Sequence, residues 1–285
     1  MNWEKFVWLL LDNADKYFLI AGPAFLIFYI FLKKKISYKK IQQSFPKRKD
    51  YAREIFFSTL SIIIFSVPPL VMLYSDSIRP HTTFYENISE YGWPYFALTF
   101  PVMLLIHDTY FYWAHRLMHH PRLFRLFHLV HHKSNNPSPW AAYAFHPLEA
   151  VVESLIFVVF LLTIPVHRFH LMFFFIFSLF YNVYGHLGFE LYPKGFNKHW
   201  FGKWMNTSVA HNMHHRYFKG NYGLYFVIWD RLMGTLNGNY DKAFEELTTR
   251  SEQRKPRIEK YETKNGIVIS DDRIQVYHSG ASKGR

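Results

Sequence analysis

Long runs of uncharged, apolar residues constrain this chain more than any other feature. Tyr17–Leu32, Ile55–Tyr74 and Tyr91–Ile106 contain no charged residue and are rich in Phe, Leu and Ile. A helix needs about 20 mostly apolar residues to cross a bilayer, so each run predicts a membrane span. Leu155–Val166 and Phe169–Gly185 predict either two tilted spans or a re-entrant hairpin. Buried helices of a soluble protein are the alternative, but so many runs leave too little polar sequence to coat a globule.

The charged residues around these runs predict the orientation of the chain. Met1–Lys16 lacks the basic start and the cleavage site of a secretory signal, and its short apolar pattern predicts an interfacial helix. Segment 33–53 carries nine Lys and Arg, whereas Arg79 is the one basic residue between the second and third runs. Short basic loops lie on the cytoplasmic side, so segments 107–147 and 186–285 are predicted to be cytoplasmic as well.

The histidines are the second constraint. The chain has 17 His, most of them between His107 and His215, and no Cys. Disulfides, thiolate-bound zinc and iron–sulfur clusters are therefore excluded, and any metal must be bound by nitrogen and oxygen. The formal charge of +12 favours an anionic membrane surface over nucleic acid, because the lysines flank apolar runs and no nucleic-acid-binding module is recognisable.

Three histidine clusters have spacings typical of metal ligands on helices. The first is an HxxxH pair and the others are HxxHH triplets, and together they comprise His115, His119, His128, His131, His132, His211, His214 and His215. Residues four apart share a helix face, so the pair can bind one ion, and the three imidazoles of a triplet can likewise point to one site. Eight imidazoles exceed the needs of one tetrahedral zinc, so the clusters predict two metal ions.

Other residues are candidates to complete this site. His146 precedes an apolar helix and His186 ends the last apolar run, although the spacing of each is equally compatible with an interfacial histidine. The candidate groups that orient or support the ligands are Asp108, Tyr112, Glu149, Glu190 and Asp230. Asp108 and Tyr112 share a helix face with His115, where they could orient its imidazole. Exposed surface charge is the simpler interpretation of each of the other three.

These motifs resemble the fatty acid hydroxylase superfamily, which includes sterol desaturases, sterol methyl oxidases and fatty acid hydroxylases. The resemblance covers 99–235 and rests on YWAHRLMH at 112–119, HLVHHK at 128–133, PSP at 137–139, HPLE at 146–149, HNMHH at 211–215, GNYG at 220–223 and WDRLMGT at 229–235. It implies an integral-membrane, non-haem di-iron oxidoreductase that uses dioxygen and two electrons to hydroxylate or desaturate a lipid.

The resemblance also implies ligands, cofactors and partners. The eight clustered histidines match family ligands, and His146 and His186 match histidines often counted with them. Two iron ions are the implied cofactors, with zinc able to displace them on overexpression. Electrons would come from NAD(P)H through a separate cytochrome b5- or ferredoxin-type carrier, because no fused haem-binding segment is visible. The lipid substrate would enter from the bilayer.

We therefore expect an all-α, polytopic helical membrane protein with about four to five membrane-embedded helices and a cytoplasmic, histidine-rich di-iron helical region. Residues 1–98 are expected to form the N-terminal membrane part, 99–235 the catalytic domain and 236–285 a polar cytoplasmic tail, with a turn between short strands at Asn265-Gly266. A substrate that is sterol- or isoprenoid-like and one that is a fatty-acyl or ether lipid remain equally open.

A histidine-rich membrane metal transporter or metal-binding protein is the rival interpretation. A transporter would place ionisable residues near the middle of several spans, where they form a path for the ion. The histidines here gather instead at the predicted cytoplasmic ends of the spans. The sequence therefore favours an enzyme.

Overall fold

The computed structural model describes residues 3–262, with side chains to 253, and this part of the chain is mostly helical, as predicted. The helices are α1 (Trp3–Phe25, continued by a π-helical segment Leu26–Phe31), α2 (Arg48–Phe65), α3 (Val67–Tyr74), α4 (Gly92–Met118), α5 (Pro121–Phe127), α6 (Leu129–His132), α7 (Pro147–Thr163), α8 (Arg168–Gly185), α9 (Ser208–Tyr217), α10 (Ile228–Leu232) and α11 (Tyr240–Glu262). Short 3-10 turns lie at Ser37–Lys39, Arg79–His81, Ile88–Glu90, Pro139–Tyr143, Phe196–Lys198 and Gly202–Trp204. Strands β1 (Phe84–Tyr85) and β2 (Val166–His167) pair in parallel. The predicted turn at Asn265-Gly266 lies outside the described residues.

Helix α1 runs without interruption through the predicted boundary at Tyr17, so the division into an interfacial helix and a separate span is wrong. Its polar residues find partners while the helix continues. Asp12 pairs with Lys16 one turn later, and the amide of Asn13 donates to the hydroxyl of Ser66 at 3.1 Å. No helix-breaking residue separates the polar and apolar halves, and Pro23 lies inside the helix.

Two helical stretches among the described residues are long and apolar enough to cross a membrane. They are Trp3–Phe31 and Arg48–Tyr74, and the second joins α2 and α3 through Ser66. The other predicted spans fall within α4, α7 and α8, so their number stays a prediction. Large apolar side chains face outward on these helices, for example Leu19 at 72% exposed, Trp93 at 69% and Phe180 at 64%. Such extensive exposed apolar surface is typical of contact with lipid.

The main core packs α3, α4, α7 and α8 against one another. Met103 of α4, Phe160 of α7 and Phe174 of α8 are fully buried there. The strand pair joins the start of α8 to the segment before α4, and the hydroxyl of Thr83 donates to the carbonyl oxygens of Leu161 and Ile164. These contacts hold α4 and α8 side by side, so the ends of both helices reach the same level of the molecule.

Two further contacts fix the segments around the histidines. The carbonyl oxygen of Trp140 accepts hydrogen bonds from Tyr17 of α1 and Ser58 of α2, at 2.8 and 2.9 Å. Helix α11, which occupies much of the predicted tail, packs Phe244 and Leu247 onto α9. An apolar face on an otherwise polar segment therefore docks α11 beside the third histidine cluster.

Candidate metal centre

Helix ends from four parts of the chain meet at the histidines. His115 lies in the last turn of α4 and His119 directly follows that helix. Helix α5 then starts at Pro121, because the fixed φ of proline suits the first helical position. The second cluster lies on α6 and on His128, which directly precedes that helix. Thr207 caps the start of α9, and its side-chain oxygen accepts the backbone N–H of Ala210 at 3.1 Å. His186 directly follows α8.

Nine histidines form two groups that could each hold a metal ion. Within each group, one ring nitrogen of every member lies within 4.8 Å of the corresponding atoms of the others. The first group, which we call site A, comprises His115, His119, His128, His132 and His214. The second, site B, comprises His131, His186, His211 and His215. The structure thus brings together the eight clustered histidines and adds His186 to them.

The two sites divide each HxxHH triplet, so the expectation that one triplet points to one site is wrong. His128 and His132, four residues apart, belong to site A, while His131 belongs to site B. In the third cluster, His211 and His215 belong to site B and His214 to site A. Residues four apart lie 40° apart around a helix axis of 3.6 residues per turn, whereas the intervening histidine is rotated by about 60–100° from them. Each triplet therefore serves both sites.

In three of these imidazoles the outer ring nitrogen is held by a backbone carbonyl, which sets the tautomer. The Nδ1 atom of His115 donates to the carbonyl oxygen of Tyr222 at 2.9 Å, and that of His186 to the carbonyl oxygen of Asn182 at 2.8 Å. His214 donates in the same way to the carbonyl oxygen of Gly220 at 2.7 Å. A neutral imidazole has one N–H, so each of these rings carries its lone pair on Nε2.

The Nε2 atoms then face one another, which favours a bound cation. In site A, Nε2 of His115 lies 2.8 Å from Nε2 of His128, whose Nδ1 is bound to Glu149. In site B, Nε2 of His186 lies 3.0 to 3.2 Å from the Nε2 atoms of the three other members. Lone pairs at such distances repel unless a proton or a metal ion lies between them. The buried Nε2 of His214 has no hydrogen-bond partner in the described part of the chain, so the donor set fits metal ions.

Burial keeps these imidazoles in the form that binds metal. Desolvation lowers the pKa of every histidine in the two sites. For His186 and His214 the pKa falls to about 4. His119 is the member of the two sites that is not fully buried. The rings are therefore neutral at pH 7, as coordination requires.

Two buried carboxylates support the sites directly. Oε1 of Glu149 accepts the Nδ1 proton of His128 at 2.6 Å, and this carboxylate is 1% exposed. Such a bond fixes the tautomer and orientation of a ligand imidazole. Glu190 accepts the backbone N–H of Val209 at 3.0 Å and the hydroxyl of Tyr184 at 2.8 Å. It therefore holds the first turn of α9, from which the third cluster projects.

Asp108 and Asp230 hold a segment of backbone beside the imidazoles. Asp230 accepts the backbone N–H groups of Tyr222 and Gly223 at 2.9 and 2.8 Å, while Asp108 accepts those of Tyr225 and the following residue at 2.8 and 3.1 Å. These bonds position the Tyr222 carbonyl that orients His115. The two carboxylates thus act through the backbone, and the Asp108 carboxylate does not reach the imidazole as its helix face suggested.

Tyr112 and His146 also lie away from the expected contacts. The hydroxyl of Tyr112 is 2.9 Å from that of Thr235, and its ring stacks on Trp229. His146 lies in neither site; its Nδ1 accepts the backbone N–H of Leu148 at 3.3 Å at the start of α7. A ring at this position caps a helix, because the first N–H groups of a helix lack partners within it.

Comparison with known proteins places the chain in a family. Residues 100–235 match the fatty acid hydroxylase family. A Delta(7)-sterol 5(6)-desaturase of Aspergillus fumigatus is 31% identical over 90% of this chain and 70% of its own length. One of Gibberella zeae is 33% identical over 66% of this chain and 55% of its own length, and the lathosterol oxidase of Rattus norvegicus is 29% identical over 70% and 64%. The chain belongs to the fatty acid hydroxylase and sterol desaturase family. No solved structure matches it significantly.

In this family member, sequence reasoning missed the backbone acceptors of the imidazoles. The acceptors are the backbone carbonyl groups of Asn182, Gly220 and Tyr222, and because every residue has such a group, the sequence does not mark them. Gly220 gives an indirect signal, because its φ is +75° and a Cβ there would lie 2.5 Å from the carbonyl oxygen of Thr235. A glycine is needed for this close approach.

A cavity of about 550 Å³ lies beside the two sites. Its inner wall includes Phe111, Phe145 and Asn182. The rings of Phe111 and Phe145 lie 5.0 Å from those of His115 and His131, respectively. One layer of aromatic rings therefore lies between the cavity and the imidazoles of both sites. The cavity is also lined by charged residues, namely Asp12, Lys16, Arg79, Glu86 and Arg168.

Proposed function

We propose that the protein is an integral-membrane di-iron oxidoreductase that hydroxylates or desaturates a lipid, with dioxygen and two electrons as co-reactants. The observation that carries this proposal is the convergence of two all-imidazole sites beside a mainly apolar cavity. Neutral imidazoles suit redox iron, which retains open positions for dioxygen. When bound, the irons would supply the activation of dioxygen that side chains cannot provide.

The protein's own contribution is binding, orientation and exclusion of water. His115, His119, His128, His132 and His214 would hold one iron, and His131, His186, His211 and His215 the other. Glu149 holds the proton on Nδ1 of His128, so that the Nε2 lone pair faces site A. The aromatic rings of Phe111 and Phe145 separate the imidazoles from the cavity, where they would position an apolar carbon of the substrate.

The relatives favour a sterol over a fatty-acyl lipid. Six are named for a Delta(7)-sterol desaturation and two for the oxidation of lathosterol. The cavity is within the range of about 300–1,000 Å³ that encloses small-molecule ligands. We therefore propose a sterol or a related polycyclic lipid as substrate.

The membrane topology and the electron donor belong to the same proposal. We place α4, α7 and α8 in the membrane together with the two long apolar stretches, and the sites on the cytoplasmic side, because basic residues crowd segment 33–53. Electrons would arrive from NAD(P)H through a cytochrome b5- or ferredoxin-type carrier.

Metal analysis and lipid turnover test this function together. Detergent-purified protein should contain about two metal ions per chain, and the iron form should consume dioxygen and convert lathosterol when a reductase and carrier are added. A His131→Ala variant should lose site B and turnover while it remains in the membrane. Protein that stays well below one metal ion per chain after anaerobic incubation with ferrous iron would contradict the proposal.

A further inference from the structure

The cavity contains a carboxylate that the metal sites do not use. Glu153 lies on α7 and lines the cavity together with His107 and Ser178. It is four residues beyond Glu149, which holds His128, so the two side chains share a helix face about one turn apart. Their charges are close enough to interact. Glu153 therefore faces the cavity just outside the carboxylate that orients site A.

The neighbouring hydroxyl groups are already engaged with other partners. Tyr110 donates to the carbonyl oxygen of Val152 at 2.6 Å. Ser154 donates to the carbonyl oxygen of Val151 at 2.7 Å. Tyr225 lies 2.9 Å from Nδ1 of His107 and also bonds to Ser178. Among the described residues, none forms a hydrogen bond or an ion pair with Glu153.

The carboxyl group of Glu153 needs a hydrogen-bond partner in a largely apolar cavity, because transfer of an unpaired polar group from water into such surroundings is costly. The other carboxylates that line the cavity have ion-pair partners. Asp12 is paired with Lys16 and Glu86 with Arg79. Glu153 is the cavity carboxylate without such a pair among the described residues, and a group of the ligand can supply the missing donor.

We propose that Glu153 accepts a hydrogen bond from a hydroxyl group of the substrate, and that this bond selects lipids whose hydroxyl lies a few bonds from the reacting carbon. The inference rests on the proposed function and narrows its substrate class. Glu153 is one helical turn from the carboxylate that binds His128, so a hydroxyl bound there places nearby ring carbons against the aromatic wall beside the sites. A fatty-acyl lipid oxidised far from its head group has no hydroxyl at this position.

A pair of sterol probes tests this assignment without turnover. We would measure equilibrium binding of a tritiated Delta(7)-sterol with a free 3-hydroxyl, and of its 3-deoxy analogue, to metal-loaded protein in nanodiscs. Because the bound 3-deoxy analogue would leave the carboxyl group of Glu153 without a partner in the cavity, we expect wild type to prefer the alcohol by about tenfold. The Glu153→Leu variant should bring this ratio close to one, and Glu153→Gln, which keeps an acceptor oxygen, should retain part of it.

Asp12→Asn is the matched control, because it neutralises a cavity carboxylate that already has a partner, and it should keep the wild-type ratio. Metal content per chain reports whether each variant folds around its sites. A wild-type ratio near one, an unchanged ratio in Glu153→Leu, or binding of neither sterol by metal-loaded protein would each overturn the assignment. A protein unable to retain metal would instead refute the proposed function, so the two failures are distinguishable.

Discussion

The bond between Glu149 and His128 offers the sharpest test of the metal centre. Removing the carboxylate in Glu149→Ala leaves the buried Nδ1–H of His128 without its acceptor at 2.6 Å. The ring is then free to place its proton on Nε2, where it would block coordination. Loss of such an orienting partner typically weakens metal binding by about 10–100-fold, which corresponds to about 1.4–2.7 kcal/mol.

This loss should be confined to site A, because Glu149 binds His128 of that site, whereas His186 of site B has its own acceptor in the carbonyl oxygen of Asn182. Titration against a chelator of known affinity, followed by elemental analysis, should show one of two bound ions released at lower chelator concentration. Glu149→Gln should lie between wild type and Glu149→Ala, since its amide oxygen can still accept a hydrogen bond from Nδ1–H of His128. Glu153→Gln, one turn along the same helix face, should retain both ions.

Release of both ions together, or release from site B alone, would refute the reasoning. Equal effects of Glu149→Ala and Glu149→Gln would refute it in another way, because the tautomer would then not depend on an acceptor. Circular dichroism of the apo forms checks that the variants keep their helices.

Three further predictions address the two sites and their supports. His214→Ala should cost one metal ion per chain from site A and His131→Ala one from site B, and elemental analysis that finds both ions in either variant would contradict the division. Acid should release metal and destabilise the fold, because burial lowers the pKa of His186 and His214 to about 4 while the unfolded value is about 6.5. The unfolded chain then binds more protons between these values, so stability and metal content should fall as pH drops from about 6.5 to about 4, and a flat profile there would contradict the burial argument. Gly220→Ala should destabilise the apo protein by about 1–3 kcal/mol, because an L-residue is strained at a φ of +75°, and an unchanged unfolding midpoint in denaturant would exclude that strain.

The helical class and the identity of most candidate ligands could be predicted because they depend on local periodicity. Residues four apart meet on any helix, so the pairing of His115 with His119 follows from spacing alone. The apolar runs are similarly local, since the length of a span is set by the thickness of the bilayer. The continuity of α1 across Tyr17 could not be predicted, because Asn13 has its partner on a distant element, the hydroxyl of Ser66.

The sequence by itself determined which residues can bind metal, since neutral imidazoles in helical register and the absence of Cys leave few other chemistries. Only the tertiary structure decided that His131 belongs to site B and His214 to site A. It likewise decided that His146 caps a helix while His186 joins site B. It also decided that backbone carbonyls orient the rings and that Glu153 faces the cavity. These features depend on where separate helix ends meet, and that meeting is set by packing between residues far apart in the chain.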